Sequence, residues 1–288
     1  MASPPRSHVT MNEAARATAP LAAAGRPILL WGPKNSGKST FLASMLLIPA
    51  DAEGPDRWRM VAADARTSEY AADLLHEIAR TRSLRPTLVV EEPYRFRLQE
   101  PPAIGLFGRR RPPREHEVVL LDPSGELFQP QRLRSGAGLT VLETAVRARG
   151  LVLLIDATDE QAGARYWEMF EDNIGELVRA IRGRPDARGL LDRHGFRLTV
   201  PTAVCLTKMD RFDRDRLDPA AFLRERLGSA FQHIQLSFTN YRIFACSALG
   251  EGGDATPAAD GSPQLPRPWG LLEPFQWIVR PGRDGLLR

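Results

Sequence analysis

The sequence predicts an α/β fold of three layers, with a mostly parallel central sheet and helices on both of its faces. Short apolar runs alternate along the chain with segments of helical periodicity, which is the pattern of strands joined by helical crossovers. The first apolar run, residues 27–31, leads through a glycine-containing loop into an apolar segment of helical spacing, residues 41–47. Because ligands bind beyond the carboxyl ends of parallel strands, we expect function in the segments that directly follow the strands.

The composition is that of one large domain with short appendages. The chain has 288 residues, of which 43% are hydrophobic, and its formal net charge is +4. We expect a disordered Ala/Pro/Ser-rich tail at 1–24, a folded domain over 25–282 and a short tail at 283–288. No apolar run approaches the ~20 residues of a membrane span, and the first residues lack the apolar stretch of a secretory signal. Cys205 and Cys246 imply no disulfide framework, so a reducing cytoplasm is expected.

The remaining elements follow from periodicity and from turn residues. A helix over 66–80 is predicted inside a helical insert near 50–86, because Leu74, Leu75 and Ile78 recur at helical spacing. Loops are predicted at 105–115, which contains three consecutive arginines, and at the Gly/Pro-rich insert near 250–268. The other predicted strands are 87–90, 94–98, 117–121, 151–156, 199–206 and 242–246, and the other predicted helices are 139–149, 160–182, 220–234 and 271–279.

The loop after the first strand has the form Gly-x-x-x-x-Gly-Lys-Ser, which predicts phosphate binding in this strand–loop–helix context. Its glycines allow successive backbone N–H groups and the helix N-terminus to face one anion. Lys38 would then reach the β- and γ-phosphates, and the Ser39 hydroxyl would ligate Mg²⁺. A chance glycine turn before a helix is the competing interpretation. The nucleotide contacts predicted here are Gly32, Lys34, Asn35, Ser36, Gly37, Lys38, Ser39 and Thr40.

The segment Asp122-Pro123-Ser124-Gly125 follows the strand predicted over 117–121. At that position the Asp122 carboxylate would hold Mg²⁺, and the Gly125 N–H would meet the γ-phosphate. Loss of that phosphate would release the residues that follow, which makes an order–disorder switch. The alternative is an ordinary turn led by an aspartate. We therefore predict Asp122 as a metal ligand and Gly125 as a nucleotide contact.

The segment Thr207-Lys208-Met209-Asp210 follows another buried strand and is predicted to select the base. Guanine offers N1–H and N2–H₂ on one edge, and the Asp210 carboxylate can accept both, whereas adenine presents an acceptor at N1. The Lys208 stem can lie along the flat face of the base. Only three of the 39 basic residues are lysines, and all three fall inside these motifs. A charged turn is the alternative. Ser247 and Ala248 end the next strand, where the Ala248 N–H could meet the guanine O6.

The ordered set GPKNSGKS, DPSG, TKMD and CSAL resembles the GTP-binding domain of the translation-factor and Ras-like P-loop GTPases, over about residues 26–282. Within that class, Glu126 after DPSG, the arginine-rich composition and the closing helix near 272–275 are similar to bacterial double-GTPase domains. The resemblance implies the P-loop NTPase form of the three-layer fold, with GTP or GDP and Mg²⁺ as ligands. It also implies a protein effector, or a partner protein encoded in the same operon.

The resemblance assigns further roles to single residues. A threonine of the first switch should meet Mg²⁺ and the γ-phosphate; Thr87 matches that position, with Thr81 and Thr67 as rivals. Glu126 stands where many relatives carry a glutamine that orients water. Because a carboxylate also repels the γ-phosphate, we expect slow GTP hydrolysis, with Lys38, Thr87 and Glu126 as the catalytic residues.

Three other functions stay open on the sequence alone. Glu126 in place of glutamine also fits a scaffold that binds guanine nucleotides without hydrolysing them. An ATP-using P-loop enzyme would require that Asp210 does not contact the base. Nucleic-acid binding through Arg109–Arg114 is disfavoured, because an arginine run at a hairpin tip is usually a solvated surface.

Overall fold

Strands and helices alternate through the computed structural model. The structure describes residues 26–32, 36–46, 58–81, 94–99, 103–104, 110–111, 114–121, 147–159, 178, 182, 189–213, 218–250 and 267–280. The strands are β1 (Ile28–Trp31), β2 (Arg59–Ala62), β3 (Tyr94–Gln99), β4 (Ala103–Ile104), β5 (Arg110–Arg111), β6 (Glu115–Leu121), β7 (Gly150–Asp156), β8 (Thr202–Thr207) and β9 (Tyr241–Ala245). The helices are α1 (Lys38–Leu46), α2 (Ala65–Thr81), α3 (Pro219–Arg226), α4 (Gly228–Ser237) and α5 (Glu273–Val279).

Seven of these strands form one sheet in the order β2-β3-β6-β1-β7-β8-β9. The strands β6, β1, β7, β8 and β9 run parallel to one another, whereas β3 is antiparallel to both β2 and β6. The short strands β4 and β5 pair separately as a hairpin. The mostly parallel sheet predicted from the sequence is confirmed. Its carboxyl-end edge brings together the segments that follow β1, β7, β8 and β9.

Both faces of the central strands are buried, and alternate side chains of β1, β7 and β8 enter two different cores. On one face Leu29 packs in a cluster with Ile234 of α4, and α3 contributes to the same cluster. On the other face Leu30 packs in a cluster with Phe41 of α1 and Phe275 of α5, whose ring centroids are 6.1 Å apart. Each such side chain contributes about 1.5–3 kcal/mol of burial free energy. The molecule is therefore a three-layer α/β fold with helices on both faces of a mostly parallel sheet, as predicted.

The structure adds detail that the sequence did not predict. Strand β2 was not predicted, since it is only four residues long and its side chains, which are exposed, buried, half-buried and half-buried in order, do not alternate regularly. The single helix expected over 220–234 is two helices, because the backbone leaves the helical region at Leu227, where φ is −129° and ψ is 48°. The insert helix expected over 66–80 is confirmed as α2. Most of the expected elements at 87–90, 139–149 and 160–182 lie outside the described residues.

None of the described helices combines the length and the apolar character that crossing a membrane requires. Cys205 in β8 and Cys246 just after β9 are both fully buried, and neither is in a disulfide. Burial raises the pKa of the Cys205 thiol well above its usual value, and the neighbouring Cys246 thiol raises it further. The Cys205 thiol is therefore a protonated, inert part of the core at neutral pH.

Candidate functional site

The loop after β1 turns into α1 through two glycines that no other residue could replace without strain. Gly37 has φ of +87°, a conformation that side-chain-bearing residues rarely adopt. A Cβ on Gly32 would lie 2.5 Å from Ser36 Oγ and 3.0 Å from the Leu154 carbonyl oxygen. The first turn of α1 begins directly behind, with the Phe41 N–H donating to the Gly37 carbonyl at 2.8 Å. The predicted strand–loop–helix context of the Gly-x-x-x-x-Gly-Lys-Ser motif is thus present.

Lys38 is the first residue of α1 and is only 7% exposed. Its Nζ donates a hydrogen bond of 3.1 Å to the carbonyl oxygen of Gly32, so the side chain folds back across the loop. The ammonium is consequently held at the carboxyl end of β1, next to the helix N-terminus. A buried ammonium beside the partial positive charge of a helix N-terminus favours an anion at this position.

Thr207, the last residue of β8, ties the second predicted motif to this loop. Its hydroxyl lies 3.1 Å from the Ser36 carbonyl oxygen and 3.2 Å from the Ile155 carbonyl oxygen, as a donor shared between the two. Thr207 is 5% exposed, so these bonds are shielded from water. The segment predicted to select the base therefore starts in direct contact with the loop predicted to bind phosphate.

Lys208 adopts a left-handed conformation, with φ of 58° and ψ of 32°, and among the described non-glycine residues this positive φ occurs only here. Its Nζ lies 2.5 Å from Oδ2 of Asp156, the last residue of β7. Oδ1 of Asp156 accepts from the N–H and the hydroxyl of Thr158, at 3.0 and 2.7 Å. Burial alone would raise the pKa of Asp156, but the hydrogen bonds from Lys208 and Thr158 outweigh burial and lower it. Asp156 is a site residue that the sequence reasoning missed.

Asp210 is fixed against the segment that follows β9. The Ser247 hydroxyl donates to Asp210 Oδ1 and itself accepts from the Gly250 N–H at 2.8 Å. Ser247 is fully buried, and its N–H and carbonyl both pair with the backbone of Trp269, each at 3.0 Å. The Met209 N–H reaches the Cys246 carbonyl at 3.2 Å. The two predicted base-binding segments, which are far apart in sequence, are thus joined.

The structure brings together part of the predicted set of site residues. It places Gly32, Ser36, Gly37, Lys38, Ser39, Thr40, Thr207, Lys208, Asp210, Ser247 and Ala248 at the carboxyl-end edge of β1, β8 and β9. Six further candidates lie outside the described residues, namely Lys34, Asn35, Thr87, Asp122, Gly125 and Glu126. Within the described ranges, no three His, Cys, Asp or Glu side chains are grouped so as to hold a metal.

Thr67, one of the rivals to Thr87 as the first-switch threonine, has a structural role. Its N–H donates to Asp64 Oδ1 at 2.7 Å, which caps the start of α2. Its hydroxyl accepts from the Arg95 N–H at 3.1 Å, and the residue is 1% exposed. The Thr67 hydroxyl therefore joins α2 to β3 inside the protein.

No family model matches the chain, and no curated protein matches it. Solved structures do match it. The Arl6 (BBS3) small GTPase of Trypanosoma brucei with bound GppNp is 17% identical, over 88% of this chain and 95% of that chain, with a TM-score of 0.42. The GTPase-like domain of Saccharomyces cerevisiae Ski7 is 15% identical, over 90% of this chain and 49% of that chain, with a TM-score of 0.41. At these values the likeness assigns no role to any residue.

Proposed function

We propose that this protein is a Mg²⁺-dependent GTP-binding switch that hydrolyses GTP slowly. The observation that carries the proposal is the contact between Thr207 and the Ser36 carbonyl, which joins the candidate base-selecting segment to the candidate phosphate loop. A nucleotide with its phosphates at Lys38 would extend across the carboxyl end of β7 toward Asp210. Polar side chains lie along this path, with Lys38 after β1, Asp156 at the end of β7 and Asp210 after β8.

The choice of guanine rests on Asp210 and Ser247. A carboxylate accepts hydrogen bonds only, and the two donors on the guanine edge match it, whereas the adenine edge would face it with a lone pair. The Ser247 hydroxyl holds one carboxylate oxygen, which fixes the plane of the Asp210 side chain. An aspartate held in this way rejects adenine strongly, because binding adenine would leave a desolvated charge without a donor.

The phosphate end of the ligand is proposed to lie against Lys38 and the loop amides. The residues described there fit a polyphosphate with its metal, since they provide a buried ammonium, a helix N-terminus and the first-turn hydroxyls of Ser39 and Thr40. Mg²⁺, when bound, would neutralise phosphate charge. Ser39, Asp122 and Thr87 are the residues proposed to hold it. We propose that Gly125 binds the γ-phosphate and that Glu126 orients the attacking water.

Calorimetric titration with GTP, GDP and ATP in the presence of Mg²⁺ tests the proposal. We expect tight binding of both guanine nucleotides and at least about a hundredfold weaker binding of ATP, the scale that polar base readout achieves. Lys38→Ala should abolish binding, because it removes the ammonium. Thr202→Val, far from the loop at the start of β8, serves as the control that retains binding. Absence of heat with either guanine nucleotide would refute the proposal.

Glu126 in place of glutamine favours a second candidate, a guanine-nucleotide-binding scaffold without hydrolysis. A single-turnover assay with excess protein over GTP separates the two functions. The switch predicts that bound GTP is converted to GDP over minutes to hours, and that the conversion stops in Glu126→Ala. GTP that stays bound and intact over the same period would favour the scaffold. The proposed setting is a cytoplasmic complex with a protein partner, as the likeness to bacterial double-GTPase domains suggests.

A further inference from the structure

The Lys208 side chain spans the gap between two strand ends. Residue Thr207 of β8 is in register with Asp156 of β7, and the Lys208 ammonium returns across that register to the Asp156 carboxylate. Strand β7 lies between β1, which leads into the phosphate loop, and β8, which leads to Asp210. Any ligand that contacts both Lys38 and Asp210 must therefore pass over the carboxyl end of β7, where the Lys208 stem lies.

Asp156 is the fixed member of this ion pair. Thr158 supplies two hydrogen bonds to Oδ1, so the carboxylate is oriented by its own turn and presents Oδ2 to Lys208. Its side chain is 13% exposed, whereas that of Lys208 is 41% exposed. The lysine is thus the more solvent-exposed partner, and without the carboxylate its long side chain would sample many rotamers. The left-handed backbone at Lys208, which is costly for a residue with a side chain, aims it at Asp156.

We propose that Asp156 is a positioning residue that sets how long a guanine nucleotide stays bound, by holding the Lys208 stem flat beneath the base and ribose. The proposal rests on the proposed function and adds to it that two carboxylates have separate roles. Asp210 reads the edge of the base and sets which nucleotide binds. Asp156, acting through Lys208, supports the face of the base, which is common to all purines, and sets the dissociation rate.

The dissociation rate of N-methylanthraniloyl-GDP, chased with excess GDP, tests this proposal in the full chain. Asp156→Asn keeps the side-chain volume and an acceptor for Thr158 but removes the charge that holds Lys208. We expect about fivefold faster dissociation, the scale of a partly exposed ion pair, with the association rate unchanged within about twofold. Asp156→Glu, which restores the charge, should recover most of the slow dissociation. The preference for GDP over IDP and XDP should stay as in the wild type.

A double-mutant cycle shows whether Asp156 acts through Lys208. Lys208→Met keeps an apolar stem without the ammonium, and in that background Asp156→Asn should change the dissociation rate by less than about 1.5-fold. An effect of equal size in both backgrounds would overturn the proposal. If Asp156→Asn fails to fold, Thr158→Val provides the second test, since it releases one hydrogen bond to the carboxylate and should accelerate dissociation in the same direction.

Asp192→Asn is the matched control. Asp192 lies in the loop before β8, its side chain is 11% exposed, and it accepts backbone N–H groups and pairs with Arg197 at 3.4 Å. Its loss should affect stability without changing nucleotide dissociation. If wild-type protein retains labelled GDP and Asp156→Asn releases it at the wild-type rate, this proposal fails while the proposed function stands. If wild-type protein retains no labelled GDP, the proposed function fails, and the present proposal fails with it.

Discussion

The Thr207 hydroxyl donates to the carbonyl oxygen of Ser36 at 3.1 Å, across 171 residues of sequence. The same hydroxyl lies 3.2 Å from the carbonyl of Ile155, so a single O–H links the ends of β8 and β7 to the loop after β1. These three segments cannot move independently while that hydroxyl stays buried. This shared hydrogen bond restrains the position of the candidate phosphate loop relative to the segment that contains Asp210.

Thr207→Val should weaken nucleotide binding more than it weakens the fold. Valine has nearly the same shape but lacks the donor, so two buried carbonyls lose a partner, at a cost of about 1–3 kcal/mol of folding free energy. We expect a drop in GDP affinity of about tenfold, because the candidate phosphate loop and the candidate base-selecting segment lose their shared contact. Urea unfolding and GDP titration measure the two effects.

Thr202→Val is the control for this comparison. Thr202 stands on the same strand, is fully buried and donates to the Val200 carbonyl at 3.0 Å, but it lies at the opposite end of β8. The substitution Thr202→Val should lower the free energy of unfolding about as much as Thr207→Val does, and it should leave the GDP affinity unchanged. If both variants weakened GDP binding equally, the Thr207 contact would have no special role in the site.

Gly37→Ala should lower stability through backbone strain alone. Among the described residues an added Cβ would meet no atom within 4 Å, so the expected cost comes from the φ of +87°, at about 1–2 kcal/mol. Gly228→Ala is the matched control, because its Cβ also meets no described atom within 4 Å and its φ is not positive. At the start of α4 that change should stabilise by about 0.5 kcal/mol. Thermal unfolding distinguishes the two variants. Equal shifts of their unfolding temperatures from that of the wild type would contradict the strained geometry at Gly37.

The contribution of Asp156 to stability should depend on pH in the acid range. Its pKa in the folded protein is lower than in the unfolded chain, where an aspartate titrates near pH 4. The ionised carboxylate therefore stabilises the fold above about pH 4, and this stabilisation is lost as the pH falls through the lower folded-state pKa. The difference in unfolding free energy between wild type and Asp156→Asn should shrink from pH 5 to pH 3.

Asp192 should behave in the same way, since the Phe196 N–H is the main cause that lowers its pKa. Thr202→Val serves as the control, because threonine does not titrate and its effect should be nearly constant over this range. Urea titrations at pH 7, 5, 4 and 3 measure all three variants. A pH-independent difference for Asp156→Asn would contradict the charged hydrogen-bonded state described here.

The sheet could be predicted from the sequence, and so could those parts of the candidate site that carry recognisable local patterns. Gly32 and Lys38 belong to a residue spacing that predicts phosphate binding from the sequence alone. The segment Thr207–Asp210 follows an apolar run that predicts a buried strand. Asp156 was not recognised, because an aspartate that ends a strand looks the same whether it caps a turn or pairs with a lysine 52 residues away. Only the register of β7 with β8 reveals that partner.

Other features could not be predicted because they depend on contacts between segments that are distant in the sequence. Strand β2 forms because β3 offers it an antiparallel edge, and its own four residues carry too little periodicity to predict it. The break between α3 and α4 follows from a single residue, Leu227, whose side chain fits an uninterrupted helical pattern. The role of Thr67 could not be read from sequence either, since its hydroxyl bonds to a strand 28 residues away.

The base preference of Asp210→Asn tests the central claim most directly. Xanthine carries a carbonyl where guanine carries its amino group, so an asparagine amide can donate to it. Wild type and variant are titrated with GDP, XDP and ADP in Mg²⁺. Wild type should bind GDP about a hundredfold more tightly than ADP, and the variant should bind XDP more tightly than GDP. Asp218→Asn, at the start of α3, should leave the wild-type order unchanged. A variant with the same base preference as the wild type, or a wild type that prefers ADP, would contradict the account.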